Sequence, residues 1–212
     1  MLPNAVLVLH GYTMNGRFGA TVTQLLKPLG EHVRVVSPDA PIECSDAAVT
    51  RFYEGTGVRR GAGPYLTWWR ASDDNSVYEG WDASRALIER TVSEHAIVGV
   101  IGFSQGAMVA SACAALAARG ELPGLRFAIM VAGRVPRAHA MRSLFERPIE
   151  LESLHVWGER DPFSADAAPE LVRHFAESSR QEFVWAGAHS FPTSGPAAEA
   201  MREFVRAHLD RA

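Results

Sequence analysis

Cysteine is scarce in this chain, and clustered basic charge is missing. Of 212 residues only Cys44 and Cys113 are cysteines, one in a loop-like stretch and one in an apolar helical run, and neither belongs to a spaced zinc or redox motif. A reducing cytoplasm is the expected setting. The formal net charge of −3 leaves no basic stripe, and Arg59-Arg60 is too short for a phosphate-binding tract, so nucleic acid is not an expected partner. No apolar run approaches the length of a membrane span; Met1 to Leu9 is apolar but lacks a basic leader and runs straight into a strand pattern. A soluble, unexported protein is expected. Internal repeats and low-complexity tracts are absent too. What is present, 47% hydrophobic and 21% charged residues, suffices for a full core and is most simply one domain without a linker.

The apolar patterning alternates strand and helix. Strands are expected at Ala5–His10, Val33–Ser37, Ala96–Gly102, Arg126–Ala132, Leu154–Gly158 and Glu182–Ala186. Helices are expected at about Arg17–Leu29, Glu79–His95, Gln105–Ala118, Ala165–Ser178 and Ala197–Leu209, with a shorter one near His139–Phe145. Short apolar strands separated by helices imply an α/β fold, a doubly wound parallel sheet with helices on both faces. One segment departs from this rhythm. Pro38 to Tyr78 is too long for an ordinary connection and carries Phe52, Tyr53, Tyr65, Trp68 and Trp69, an aromatic load that argues against disorder.

The sharpest motif is Gly102-Phe103-Ser104-Gln105-Gly106, a G-x-S-x-G nucleophile elbow. Alone it would arise by chance in roughly one such chain in ten. Its context is what the motif requires, because the buried-strand pattern Ala96-Ile97-Val98-Gly99-Val100-Ile101 precedes it and an alanine-rich helix follows. A serine hydroxyl needs a base and an acid that orients the base, and on this fold they follow in the order Ser, Asp or Glu, His, at the ends of later strands. Among eight histidines, His189 lies just past the last strand, in Gly187-Ala188-His189-Ser190; His139 is a weaker competitor, and the others precede the serine or fall within elements. For the acid, Asp161 opens the loop after the fifth strand and is stiffened by Pro162, with Asp166 and Glu159 as alternatives. The oxyanion hole is expected from the backbone N–H groups of Gln105 and Tyr12, the latter in the turn Leu9-His10-Gly11-Tyr12 after the first strand. In sheet order 2-1-3-4-5-6 those two turns face one crevice at the topological switch point.

Taken together, Leu9-His10-Gly11, Trp68-Trp69, Gly102 to Ala107, Ser153 to Gly158 with Asp161, and Gly187-Ala188-His189 with Pro192 resemble the FSH-type, ovarian-cancer-associated-hydrolase-like serine hydrolases of the α/β-hydrolase superfamily. The chain is more distantly similar to acyl-protein thioesterases and carboxylesterases. The resemblance spans nearly the whole chain and implies an esterase or thioesterase with Ser104 as nucleophile, Asp161 as acid and His189 as base, acting on acyl esters that often carry a long alkyl chain. Arg59-Arg60-Gly61-Ala62-Gly63 has no counterpart in the family pattern.

The expected chemistry is acyl transfer through an acyl-enzyme on Ser104, which needs no metal or organic cofactor. The expected partner is a small acyl ester or thioester, with Trp68 and Trp69 walling an apolar acyl pocket at the active-site rim. Two rivals remain open: a non-catalytic binder of a small apolar ligand on the same fold, and hydrolysis of an amide or carbon–carbon bond in the same site.

Overall fold

A computed structural model describes residues 4–56, 58 and 60–209, with 31 and 32 described by their backbone alone. Ten strands are present among them: β1 (Asn4–Leu9), β2 (Val33–Val36), β3 (Ile42–Glu43), β4 (Leu66–Thr67), β5 (Arg70–Ala71), β6 (Tyr78–Glu79), β7 (Ile97–Phe103), β8 (Phe127–Val131), β9 (Glu152–Gly158) and β10 (Arg180–Trp185). The six long ones form a parallel sheet in the order β10-β9-β8-β7-β1-β2, which is the expected 2-1-3-4-5-6 when they are counted alone. The helices are α1 (Phe18–Leu26), α2 (Asp46–Thr56), α3 (Trp81–Glu94), α4 (Gln105–Ala118), α5 (His139–Arg142), α6 (Ala168–Arg173) and α7 (Gly195–Leu209).

Because side chains alternate along a strand, each central strand feeds two cores. In β1, Ala5, Leu7 and Leu9 join the layer built with α3 and α4, while Val6 and Val8 join the layer built with α1 and α7. In β8, Ala128 and Met130 face the first layer and Phe127, Ile129 and Val131 the second. Burying each such large aliphatic side chain contributes about 1.5–3 kcal/mol, so the sheet centre is where the fold is anchored. Helix α4 has almost no solvent face, with ten of its residues buried, and its alanines let it lie close against β7 and β8.

Several helices are shorter than the sequence pattern suggests, for local reasons. The run expected at Arg17–Leu29 leaves α geometry after Leu26 and continues as a 3-10 turn, because Pro28 has no N–H to continue the ladder. The helix expected from Glu79 begins at Trp81, since Tyr78–Glu79 pairs antiparallel with Arg70–Ala71. That expected at Ala165–Ser178 contracts to α6. Just ahead of it Phe163 and Ser164 wrap the Asp161 carboxylate and the N–H of Ala165 turns back to the Asp161 carbonyl, and its last residues give up helical geometry to pair, His174 and Ala176 exchanging backbone hydrogen bonds with Ile149. The 38–78 segment holds more regular structure than its composition shows: α2, of which only Val49 is buried, and two short antiparallel ladders, β3·β4 and β5·β6. Of the Arg59–Gly63 stretch, Arg59 lies outside the described residues; Arg60 lies over the Tyr65 ring, and the carbonyl of Ala62 accepts from Asn15.

The turn between β7 and α4 is the tightest point of the fold. A Cβ on Gly106 would run into the carbonyl oxygens of Leu9 and His10, and one on Gly102 into the carbonyl of Gly106. Only glycine lets the start of α4 sit this close to the ends of β1 and β7. Gly106→Ala should therefore lower unfolding free energy by about 1–3 kcal/mol, because the obstructing atoms are backbone and cannot swing aside. Gly61→Ala, where nothing lies near the added Cβ, should stay within about 0.5 kcal/mol of the parent. Urea melts of the two variants make the comparison, and equal midpoints would contradict it.

Candidate active site

Ser104 sits between β7 and α4 with φ 54° and ψ −116°, a left-handed backbone that a serine adopts only when its surroundings force it. Its N–H donates to Val131 O at 2.9 Å, pinning the strained residue to the end of β8. The hydroxyl lies 3.0 Å from Nε2 of His189, and Nδ1 of His189 lies 2.8 Å from Oδ2 of Asp161. The three side chains are separated by 57 and 28 residues in sequence and meet because their loops leave β7, β9 and β10 of one parallel sheet at the same edge.

Two of those loops are stitched together. Beyond the end of the β9·β10 ladder, the N–H of Glu159 donates to Trp185 O and that of Arg160 to Gly187 O, both at 2.9 Å. The Asp161 and His189 loops thus run side by side. Gly158 is needed here, since a Cβ on it would strike the backbone of Gly187.

The Asp161 side chain is fully buried and every lone-pair direction is used. Oδ1 accepts the N–H groups of Phe163 and Ser164, while Oδ2 accepts from Ser164 Oγ at 2.5 Å and faces His189. Burial pushes the carboxyl pKa up, but the hydrogen bonds from His189, Ser164 and Phe163 outweigh it and hold the group below the ordinary carboxylate range. Asp161 is therefore ionised at neutral pH, as an acceptor for imidazole N–H must be. The alternatives Asp166 and Glu159 are exposed. The His189 side chain is 11% exposed and flanked by Phe103 and Phe163, whose rings hold the imidazole plane.

Across the crevice, the Gly11–Met14 turn is tied to β4 by Thr13 N–H to Leu66 O and Leu66 N–H to Met14 O, both 3.0 Å. Among the described residues, no protein acceptor pairs with the backbone N–H of Tyr12 or of Gln105. Two unspent donors therefore stand beside the serine. Beneath them His10 is fully buried: Ala40 N–H donates to its Nε2, so its proton sits on Nδ1 and is given to Gly11 O. Burial lowers the His10 pKa and keeps the ring neutral, in keeping with a packing role.

Contacts that no sequence pattern announced involve the Gln105 side chain. Its Oε1 accepts the N–H of Trp68 at 3.1 Å and lies 3.0 Å from the Thr67 hydroxyl, while its Nε2 donates to Trp69 O. One amide thus clamps the 38–78 segment to the turn that carries Ser104. Ser164 also escaped notice, although a serine three residues after an aspartate is a recognisable local partner.

The structure separates the two adjacent tryptophans. Trp68 is 0% exposed; its indole N–H donates to His10 O at 2.9 Å and its carbonyl accepts from Ser84 at 2.5 Å. The expectation that Trp68 walls a substrate pocket is thus corrected. It holds the insert onto β1 and α3. Trp69, stacked on Tyr78 at 4.4 Å, lines a cleft next to Ser104. Trp68→Ala should lower the melting temperature and reduce turnover of short and long esters alike, whereas Phe191→Ala, in the wall of the apolar cleft on the other side of Ser104, should change the ratio between them several-fold. The reverse assignment in chain-length kinetics and melts of the two variants would contradict this division.

Two clefts, each of about 490 Å³, meet at Ser104 and His189, with Tyr12 and Phe52 bordering both. One is walled by Met14, Phe18, Phe103 and Phe191; the other is floored by Trp69, Tyr78 and Met108. Among the described residues no three His, Cys, Asp or Glu side chains gather with metal-binding geometry, and no helix is long and apolar enough to cross a membrane.

Comparison with known proteins agrees with this picture. Esterase OVCA2 of Xenopus tropicalis is 30% identical over 215 residues, covering 94% of this chain and 91% of its own. The dihydromonacolin L-[lovastatin nonaketide synthase] thioesterase of Aspergillus terreus is 29% identical over 229 residues, covering 90% and 86%. In fold the chain is like the crystal structures of esterase PE8, with TM-score 0.71, 16% identity and 97% and 92% coverage, and of Arabidopsis thaliana SOBER1, with TM-score 0.68, 17% identity and 98% and 100% coverage. The family model described as serine hydrolase (FSH1) matches residues 1–201, and with that match the chain belongs to the FSH1 serine hydrolases.

Proposed function

We propose that Ser104, His189 and Asp161 form the catalytic triad of this enzyme, a serine hydrolase of carboxylic esters or thioesters. The observation that carries the assignment is the continuous hydrogen-bond chain from the Ser104 hydroxyl through both nitrogens of His189 to an ionised, buried Asp161. His189 takes the serine proton as Oγ attacks the acyl carbonyl. The imidazolium that results is stabilised by Asp161, and the N–H groups of Tyr12 and Gln105 receive the oxyanion. Collapse of the tetrahedral species expels the alcohol or thiol, which takes its proton from His189. Water, deprotonated by the same imidazole, then attacks the acyl-enzyme and releases the acid.

The apolar cleft of Met14, Phe18, Phe103 and Phe191 receives the alkyl portion of the substrate, where each buried methylene contributes about 0.8 kcal/mol. The 38–78 segment belongs to the same single domain and forms the rim of the site. Free thiols at both Cys44 and Cys113 support the cytoplasm as the working compartment.

Ser104→Ala should abolish hydrolysis of p-nitrophenyl esters while leaving the melting temperature close to that of the parent. Asp161→Asn should cut kcat by on the order of 10⁴, because the amide favours the wrong imidazole tautomer. Asp166→Asn, altering an exposed carboxylate, should cost little. If Asp166→Asn proved the more damaging, the acid would be misassigned.

The pH profile has a definite sign. Since the base must be neutral to accept the serine proton, kcat/KM should fall on the acid side, while Asp161, held below the ordinary carboxylate range, stays ionised there. An acid limb that persists unaltered in the residual activity of His189→Ala would remove His189 from the mechanism.

A further inference from the structure

The cleft on the Trp69 side has a charge pattern that ester hydrolysis alone does not require. Its walls include Arg51 from α2, Arg70 from β5, and Arg134 and Arg137 from the loop after β8, and no aspartate or glutamate is among its lining residues. Three separate segments deliver these side chains, so the pattern is not one charged run on a solvated face. The whole chain carries 24 acidic against 21 basic residues, which makes an acid-free group of four arginines a local departure from the average surface.

Among the described residues none of the four makes an ion pair. Arg70 gives one guanidinium hydrogen bond to the backbone oxygen of Glu43, and Glu79 stands opposite it in the β5·β6 ladder. Burial raises the Tyr12 phenol pKa and the charges of Arg51 and Arg70 oppose that rise, so their field reaches the residue that borders Ser104. The Arg134–Arg137 loop is fixed to the cleft floor: the N–H of Arg137 donates to the Tyr78 hydroxyl at 3.0 Å, and Tyr78 is stacked on Trp69. Arg134 is half-buried. Like charges held together in a concave site raise the local concentration of anions and leave guanidinium donors free for a carboxylate or phosphate.

We propose that the arginine-lined cleft binds an anionic group, a carboxylate or a phosphate ester, on the arm of the substrate opposite its apolar arm. The inference rests on Ser104 being the nucleophile between the two clefts. The preferred substrate is then two-ended, with an alkyl portion against Phe18, Phe103 and Phe191 and an anion among the arginines.

The test compares kcat/KM within two matched pairs. The p-nitrophenyl monoester of glutaric acid against p-nitrophenyl pentanoate places a carboxylate on the acyl side. Octanoyl-coenzyme A against the octanoyl thioester of N-acetylcysteamine places phosphates on the leaving-group side. The anionic member of at least one pair should be favoured by about tenfold or more, and the pair that responds identifies the source of the anion. That preference should shrink as sodium chloride is raised, and the ratio should fall towards one in Arg134→Gln and Arg137→Gln, singly and together. Ratios near one in both pairs for the parent protein would overturn the proposal, as would a preference that neither salt nor the arginine variants reduce. Failure of every ester, neutral ones included, would overturn the Ser104 reading itself and the inference with it.

Discussion

The close approach of α4 to the ends of β1 and β7 is the constraint from which the site follows. Gly102 and Gly106 let helix and strand backbones touch, and the chain between them has room for only one conformation, with Ser104 in the left-handed region. That conformation brings the hydroxyl within 3.0 Å of His189 Nε2 and, among the described residues, leaves the neighbouring Gln105 N–H without a backbone acceptor. It also brings the first turn of α4 against Leu9 and His10, so the turn after β1 is held beside Ser104. The strain at one residue is stored in a turn that the packing of α4 on β1 and β7 keeps closed.

The sheet then does at longer range what the elbow does locally. Parallel strands place all their following loops on one edge, and the pairing of β9 with β10 continues into the loops that carry Asp161 and His189. The Asp161 carboxylate takes three hydrogen bonds from its own turn, so its position does not depend on His189 alone. On the opposite side the Gln105 amide does the comparable task for the insert.

Much of the architecture was legible because it rests on local signals. Strand positions follow from runs such as Val98 to Ile101, which must be buried on both faces, and the glycines around Ser104 announce a turn no other residue tolerates. His189 and Asp161 stand out as polar residues just beyond strand ends, and the structure brings them together with Ser104. What escaped depends on contacts distant in sequence. The Gln105 side chain meets residues 36 to 38 positions away, and nothing in the tripeptide Thr67-Trp68-Trp69 tells which of two buried indoles bonds His10 and which borders the cleft. Helix α2 buries only Val49, so it leaves little periodic signal. The arginine-lined cleft is assembled from three segments and has no motif at all.

The central claim is that Ser104 is a nucleophile activated by His189, and the most direct measurement is peptide mapping after reaction with a fluorophosphonate. A single phosphonyl adduct on the peptide containing Ser104, protected by excess ester and formed much more slowly in His189→Ala, is the predicted result. An adduct on another serine, or labelling of Ser104 at an undiminished rate in His189→Ala, would contradict the account.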